Sequence, residues 1–300
     1  MKKVASLRYG VIFKKAFSKP HIFTAFVNDC FGINLEIDKV ETEKSFDPCV
    51  GKVDSRFDLF AEDKKHRAIV DIQHVRNADH YQRFLHYHCV ALLEQVSNSK
   101  DYCPPMNVYT IVVLTSGDRH KVDIAEIDFD PKDLNGKGLG EIAHKILYLC
   151  PKYVNEQTPE PFREWMLAIQ DSLDETVNEA CYQKPEIQEI FNLIEQDQTT
   201  PKEYARMKDE YSYGLTLNTL YDKGVQQGLE TGIQQGLEKG MQKGIETGIQ
   251  QGLEKGIEKG MEKGGQAMLL ANAKKMKDEG LELALIAKIT GLALEDLQSL

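Results

Sequence analysis

The sequence predicts an α/β domain followed by helices, and three observations carry that prediction. Residues 55–75, SRFDLFAEDKKHRAIVDIQHV, hold two apolar runs at 56–61 and 67–75 on either side of the charged stretch 62–66. Only strand pairing buries both runs, so the segment reads as a β-hairpin. Residues 108–115, VYTIVVLT, form a continuous β-branched run of the kind that fills a buried strand. Beyond residue 150 the apolar spacing turns helical, with Pro159, Pro185 and Pro201 each placed where a helix can begin.

Whole-chain properties bound the class. Three hundred residues with 41% hydrophobic content allow one large domain or two smaller ones with a proper core. Six cysteines, at 30, 49, 89, 103, 150 and 181, make no CxxC pair, which argues against a zinc ribbon or a disulfide scaffold and for free thiols in a reducing compartment. The opening MKKVASLRYG has two lysines but no apolar h-region, and nowhere do 18 apolar residues run together. A soluble, cytoplasmic protein is expected. Net charge is −10, distributed unevenly: residues 1–125 hold 18 Lys+Arg against 16 Asp+Glu, leaving 19 against 31 for the remainder. The first part is near neutral, so any phosphate binding there is expected to be weak and salt-sensitive.

In chain order, residues 8–18 and 20–31 read as two short helices divided at Pro20 and stopped by Gly32, with Ile22, Phe23, Phe26, Val27, Cys30 and Phe31 at helical spacing. INLEIDKVETEKSF follows as a loop or irregular strand. In the hairpin an acid breaks each apolar run, Asp58 inside FDLF and Asp71 inside AIVDIQ. A turn centred between Lys64 and Lys65 sets the two aspartates directly opposite each other, with Cβ atoms about 4.5–5.5 Å apart, where like charges destabilise a sheet. A divalent cation would offset that repulsion, and carboxylates suit Mg²⁺. Gln73 points to the same face as Asp71, because strand side chains alternate.

The D(x12)DxQ arrangement at Asp58, Asp71 and Gln73 resembles the PD-(D/E)xK nuclease superfamily, in its transposase-like branch of Rpn-type recombination-promoting nucleases. There the motif strand often ends in ExQ, and VDIQ at 70–73 matches with Asp71 in the place of the glutamate. LRYGVIFKKAFSKP, YQRFLHYHCVALLEQV and KDYCPPMNVYTIVVL resemble the family's opening, its helix after the motif and its next strand, over roughly residues 7–118. The resemblance implies a mixed sheet flanked by helices and an Mg²⁺- or Mn²⁺-dependent DNA endonuclease. It implies Asp58 and Asp71 as metal ligands and catalytic residues, and Gln73 as a catalytic residue orienting the nucleophile. Superfamily members often bring one more acid to the metal, for which Glu43 is the candidate; a solvated loop acid is the plainer alternative. Arg83, with Gln82 and Tyr87, resembles polar positions on the family's helix and would contact a DNA phosphate, the alternative being a salt bridge or an exposed charge. Gln73 cannot supply the positive charge of a motif lysine, so activity is expected to be weak or to lean on a second cation; a lysine from elsewhere could supply the charge, and Lys52 precedes the motif strand, but nothing singles it out. The rival function is a catalytically degenerate member that acts through its tail as an assembly or regulatory protein.

Residues 78–97 form a helix with Phe84, Val90, Ala91 and Leu92 on its apolar face. Its His86 and His88 do not share a face, so no zinc site is expected. Residues 122–129 read as an edge strand, and 141–150, EIAHKILYLC, as a helix. Phe162, Trp165, Met166, Ile169 and Leu173 keep helical spacing, and Thr200–Glu203 reads as a capping box. The expected divisions are 1–150, 151–223, 224–264 and 265–300.

From Gly224 to Gly264 a glycine stands at every fourth position, and each of the first ten is followed by Val, Leu, Ile or Met. Eleven helical glycines cost roughly 10 kcal/mol relative to alanine. A continuous helix, a helix formed only on pairing, and a flexible spacer compete; the regular apolar residue favours a helix realised through homo-oligomerisation. The period of 4 excludes a left-handed coiled coil. Residues 265–300 close as a helical hairpin, with Gly280 and Gly291 as stops. IAKITGLALEDLQSL has helix-turn-helix cadence, but Glu295 and Asp296 on its last helix favour a packing module over a DNA reader.

Overall fold

The computed structural model describes residues 1–46, 55–74, 79–96 and 103–300. The chain divides into two units, Met1–Leu220 and Tyr221–Leu300. The first is built on a six-stranded mixed sheet. A two-residue strand β1 (Lys2–Lys3) precedes helices α1 (Gly10–Phe17) and α2 (Pro20–Phe31). α2 starts on Pro20 as the sequence predicts, whereas α1 starts at Gly10, two residues after the expected start, and Gly32 caps α2 in the left-handed conformation that glycine adopts without strain. Next come β2 (Glu41–Phe46), β3 (Ser55–Glu62), β4 (His66–Gln73), α3 (His80–Leu93), β5 (Asn107–Leu114), β6 (Ile124–Asp128) and β7 (Lys145–Leu149).

The sheet order is β2-β3-β4-β5-β7-β6. β2, β3 and β4 pair antiparallel, β4-β5 and β5-β7 parallel, and β6 closes the edge antiparallel to β7. The hairpin register is the predicted one, with Leu59 facing Val70 and Glu62 facing Arg67. Its tip is locked by Asp63, whose carboxylate accepts the backbone N–H groups of Lys65 and His66 and pairs with the His66 ring. Burial pushes the Asp63 carboxyl up, but these bonds and one from Glu36 N–H hold it down at about 2.

One expectation fails. Residues 141–150 hold no helix; the ILYL run is β7, inserted between β5 and β6. Ile146, Tyr148 and Cys150 face one core while Leu147 and Leu149 face the other. A short strand whose four residues after Lys145 are buried on both faces shows no alternation of polarity, so its sequence looks like a buried helix turn. The segment 33–46, expected as a loop or irregular strand, contributes the edge strand β2.

After β7 come α4 (Phe162–Ser172), a short β8 (Thr176–Val177) paired with β1, α5 (Pro185–Leu193) and α6 (Pro201–Asp278). Pro185 and Pro201 open their helices as predicted, whereas Pro159 stands three residues ahead of α4. The capping box at α6 is reciprocal: Thr200 N–H donates to Glu203 Oε2 at 2.6 Å, and Glu203 N–H donates to Thr200 Oγ1 at 3.3 Å.

Two cores cover the sheet. On one face α1, α2, α4 and α5 bury Phe13, Phe17, Phe26, Trp165, Ile187 and Phe191 against Leu59, Val70, Ile111 and Leu149. On the other, α3 lays Phe84, Tyr87 and Ala91 over Phe57, Phe60, Ile69 and Val112. Arg67 anchors α3 from beneath, pairing with Glu62 and Glu94 and donating to the Ala91 carbonyl. His88 of α3 stacks on Phe129 and bonds Thr110 Oγ1 at 2.9 Å.

In the second unit α6 runs to Asp278, and α7 (Leu283–Thr290) and α8 (Leu294–Ser299) fold back after Gly280 and Gly291, both at positive φ as the sequence predicts. Ala273, Ile286 and Leu297 form a small core there, and Lys277 Nζ donates to the Leu297 and Gln298 carbonyls at the end of α8. Residues 224–264 lie wholly within α6. Among the described residues no helix is long and apolar enough to cross a membrane. The five described cysteines are free.

Candidate active site

The site forms where the hairpin's backbone ladder stops. Beyond the Leu59–Val70 pair, side chains take over the pairing: Asp58 N–H donates to Asp71 Oδ1 at 3.0 Å, and Ile72 N–H donates to Asp58 Oδ2 at 3.1 Å. Each aspartate thus accepts an amide proton from the opposite strand. Strict alternation also slips here, because Phe57 packs in the α3-side core while Leu59 packs in the other.

Glu43 lies in the same row. The β2–β3 pairs Thr42–Leu59 and Lys44–Phe57 flank an unpaired position, and that position sets Glu43 opposite Asp58. Glu43 has φ 56°, in the left-handed region that non-glycine residues rarely enter. Three acids from three adjacent strands, Glu43, Asp58 and Asp71, therefore share one line across the sheet.

Asp71 is buried, 4% exposed, and burial first, then the Asp58 charge, push its carboxyl well above the usual range. The Asp58 backbone bond, Arg83 and Lys14 oppose that rise. Its Oδ2 is buried with no hydrogen-bond partner. An orphaned carboxylate oxygen inside a fold costs free energy and points to a missing positive group.

A cation approaches these acids from α1. Lys14 Nζ reaches Asp58 Oδ1 at 3.4 Å and Glu43 Oε1 at 3.0 Å. With Arg56, which also pairs with Glu43, Lys14 holds the Glu43 carboxyl below its usual range. Sequence reasoning missed Lys14; the one signal was the pair of basic residues Lys14 and Lys15 between the buried Phe13 and Ala16, and nothing there singled out Lys14. Lys52, considered there for this role, lies outside the described residues. Sequence reasoning also missed an acid, Glu210 of α6, whose Oε2 accepts Gly10 N–H at the start of α1 at 2.8 Å. Desolvation raises its pKa, and the Asp58 charge adds to the rise.

On the other side, Arg83 of α3 donates from Nη1 to Gln73 Oε1 at 3.2 Å and from Nε to the Tyr87 hydroxyl at 3.3 Å. Its guanidinium lies over the Phe84 and Tyr87 rings. The structure thus gathers Asp58, Asp71, Gln73, Glu43 and Arg83 at one end of the hairpin.

Among the described residues no three His, Cys, Asp or Glu side chains stand ready-made to hold a metal. The donors present are two carboxylates, one with an orphaned oxygen. That set fits Mg²⁺, which keeps several waters and takes one or two protein carboxylates.

An acid-bearing hairpin in a mixed sheet with helices on both faces is the architecture of PD-(D/E)xK nucleases. The family model of PD-(D/E)XK nuclease family transposases matches residues 8–218, and the chain belongs to that family. Nucleases of this superfamily generally use divalent metals. No curated protein and no solved structure matches the chain.

Proposed function

We propose that this protein is a metal-dependent DNA endonuclease, with Asp58 and Asp71 holding Mg²⁺ or Mn²⁺. The observation that carries the reading is the buried, unpartnered Oδ2 of Asp71 beside the Asp58 carboxylate. A bound divalent ion would supply Lewis-acid stabilisation of the phosphate and lower the pKa of a coordinated water.

The chain's own residues do the rest. Gln73, held by Arg83, orients the attacking water through its side-chain amide. Lys14 supplies the positive charge that a motif lysine would give, and its bond to Glu43 keeps the ammonium aimed at the Asp58 carboxylate. The free edge of the Arg83 guanidinium binds a DNA phosphate, with Tyr87 and Phe84 fixing its plane. Glu43 acts by positioning Lys14. The near-neutral charge of residues 1–125 fits weak DNA binding of low sequence specificity.

The test is cleavage of supercoiled and linear DNA by purified protein in Mg²⁺, Mn²⁺ or EDTA, beside Asp58→Ala and Asp71→Ala prepared identically. Metal-dependent cleavage lost in both variants supports the reading. Equal cleavage by the variants, or none by the wild type with either metal, refutes it.

A further inference from the structure

The tetrad segment of α6 carries an unpartnered surface that the proposed nuclease site does not use. From Val225 to Met261 the apolar residue of every tetrad is 54–74% exposed. The preceding glycines are equally free: a Cβ added at any glycine from Gly224 to Gly264 meets nothing within 4 Å. None of them has the positive φ that would demand glycine. Each weakens the helix, and nothing among the described residues requires it. The requirement must lie in something that approaches the helix closely.

The other two tetrad positions are sorted by charge. All six glutamates of the segment occupy the third position and all five lysines the fourth. Around the helix the order is therefore glycine, apolar, acidic or Gln, basic or polar, at roughly 100° steps. Two such helices placed parallel about a two-fold axis set each apolar side chain against the partner's glycine row, and the acidic side of one toward the basic side of the other. Antiparallel pairing sets apolar against apolar, leaves glycine facing glycine across a gap, and aligns like charges. The near-balance of six against five lets identical copies approach without net repulsion.

The period fixes the handedness. Four residues overshoot a helical turn by about 40°, so the glycine and apolar rows circle the helix once in about nine tetrads, or roughly 54 Å. For axes closer than the usual 8–10 Å, that pitch corresponds to a right-handed crossing of roughly 40°. Close glycine-mediated helix pairs cross at that angle.

We infer that residues 224–264 pair with the same segment of a second copy of this chain, parallel, in register and crossing right-handedly, with each apolar residue seated over a glycine of its partner. The inference is independent of the nuclease reading.

Sedimentation equilibrium of the full chain tests it, together with a variant carrying Gly236→Ala, Gly240→Ala and Gly244→Ala. The wild type should sediment at twice its 34.0 kDa monomer mass. The variant should dissociate at least about 100-fold more readily, although alanine is the better helix former. Unchanged melting of the Met1–Leu220 unit shows that it is folded. Orientation is read by placing an acetylphenylalanine that bears a nitroxide at Gln227, which leaves the cysteines alone. Parallel pairing puts the two labels within about 25 Å, antiparallel pairing about 50 Å apart, at 1.5 Å per residue. A monomeric or higher-order wild type, a variant that dimerises as tightly as the wild type, or labels about 50 Å apart would each overturn the inference.

Discussion

Asp71→Asn should make the metal-free protein more stable. Asp71 is buried beside Asp58, and its Oδ1 accepts a backbone proton that an asparagine Oδ1 also accepts. The substitution removes a charge that burial and Asp58 both penalise. Two carboxylates about 5 Å apart repel by about 3 kcal/mol at an effective dielectric of 20, and Lys14 beside Asp58 offsets part of that. A net gain of about 1–3 kcal/mol raises Tm by about 2–12 °C for a unit of this size. The pH dependence identifies the cause. Because the folded pKa of Asp71 lies above its unfolded value, the wild type keeps full stability below about pH 4 and loses it as pH rises through the folded pKa. The variant has no such loss, so its advantage should grow from about pH 4 upward and then level off. Calorimetric melting in EDTA from pH 4 to 8.5 measures it. Excess Mg²⁺ should then stabilise the wild type and leave the variant unmoved, reversing the order. A variant that melts below the wild type at pH 7.5 in EDTA, or a gap indifferent to pH, refutes the stored repulsion.

Lys14→Met should lower the cleavage rate by about 10²–10³-fold while leaving metal-induced stabilisation in place, and Lys14→Arg should restore part of the rate. Arg83→Ala removes the guanidinium bond to Gln73 and a charge that lowers the Asp71 pKa, so the acid limb of the pH–rate profile should move to higher pH. Arg83→Lys should not restore the rate, because an ammonium cannot hold Gln73 and Tyr87 with a planar fork. The imidazole of His88 is pushed down to about 3 by burial and then by His144, so its contribution is present above about pH 6.5 and lost as pH falls toward 3. His88→Gln should flatten that acid slope in a pH series of urea melts. Thr200→Ala breaks the reciprocal cap of α6 and should cost about 1 kcal/mol in the same assay.

The hairpin was legible because its polarity pattern and central turn specify one register, and the acids stood out as charges where a core strand has none. The helices at 10–17, 20–31 and 80–93 were legible from spacing and caps. β7 was not, since four consecutive residues buried on both faces carry no periodicity. The line of three acids was half visible: the Asp58–Asp71 pairing follows from a short turn, but Glu43 joins through a strand pairing across intervening chain that no local pattern encodes. Lys14 and Glu210 reach the site by tertiary packing of α1 and α6, separated by roughly two hundred residues of sequence, and composition gives no hint of that. Conversely, the repeat was fully visible as a pattern, and its surface became interpretable only once the helix showed what each position faces.

The carboxylate–amide bonds that end the hairpin make the sheet its own indicator of ligation. The amide protons of Asp58 and Ile72 are each held by one oxygen of the two carboxylates proposed to bind the metal. An ion that draws those oxygens away must loosen or re-aim both bonds, so two backbone resonances should shift and exchange faster with solvent deuterium as the site fills. Occupancy could then be followed residue by residue without any substrate present.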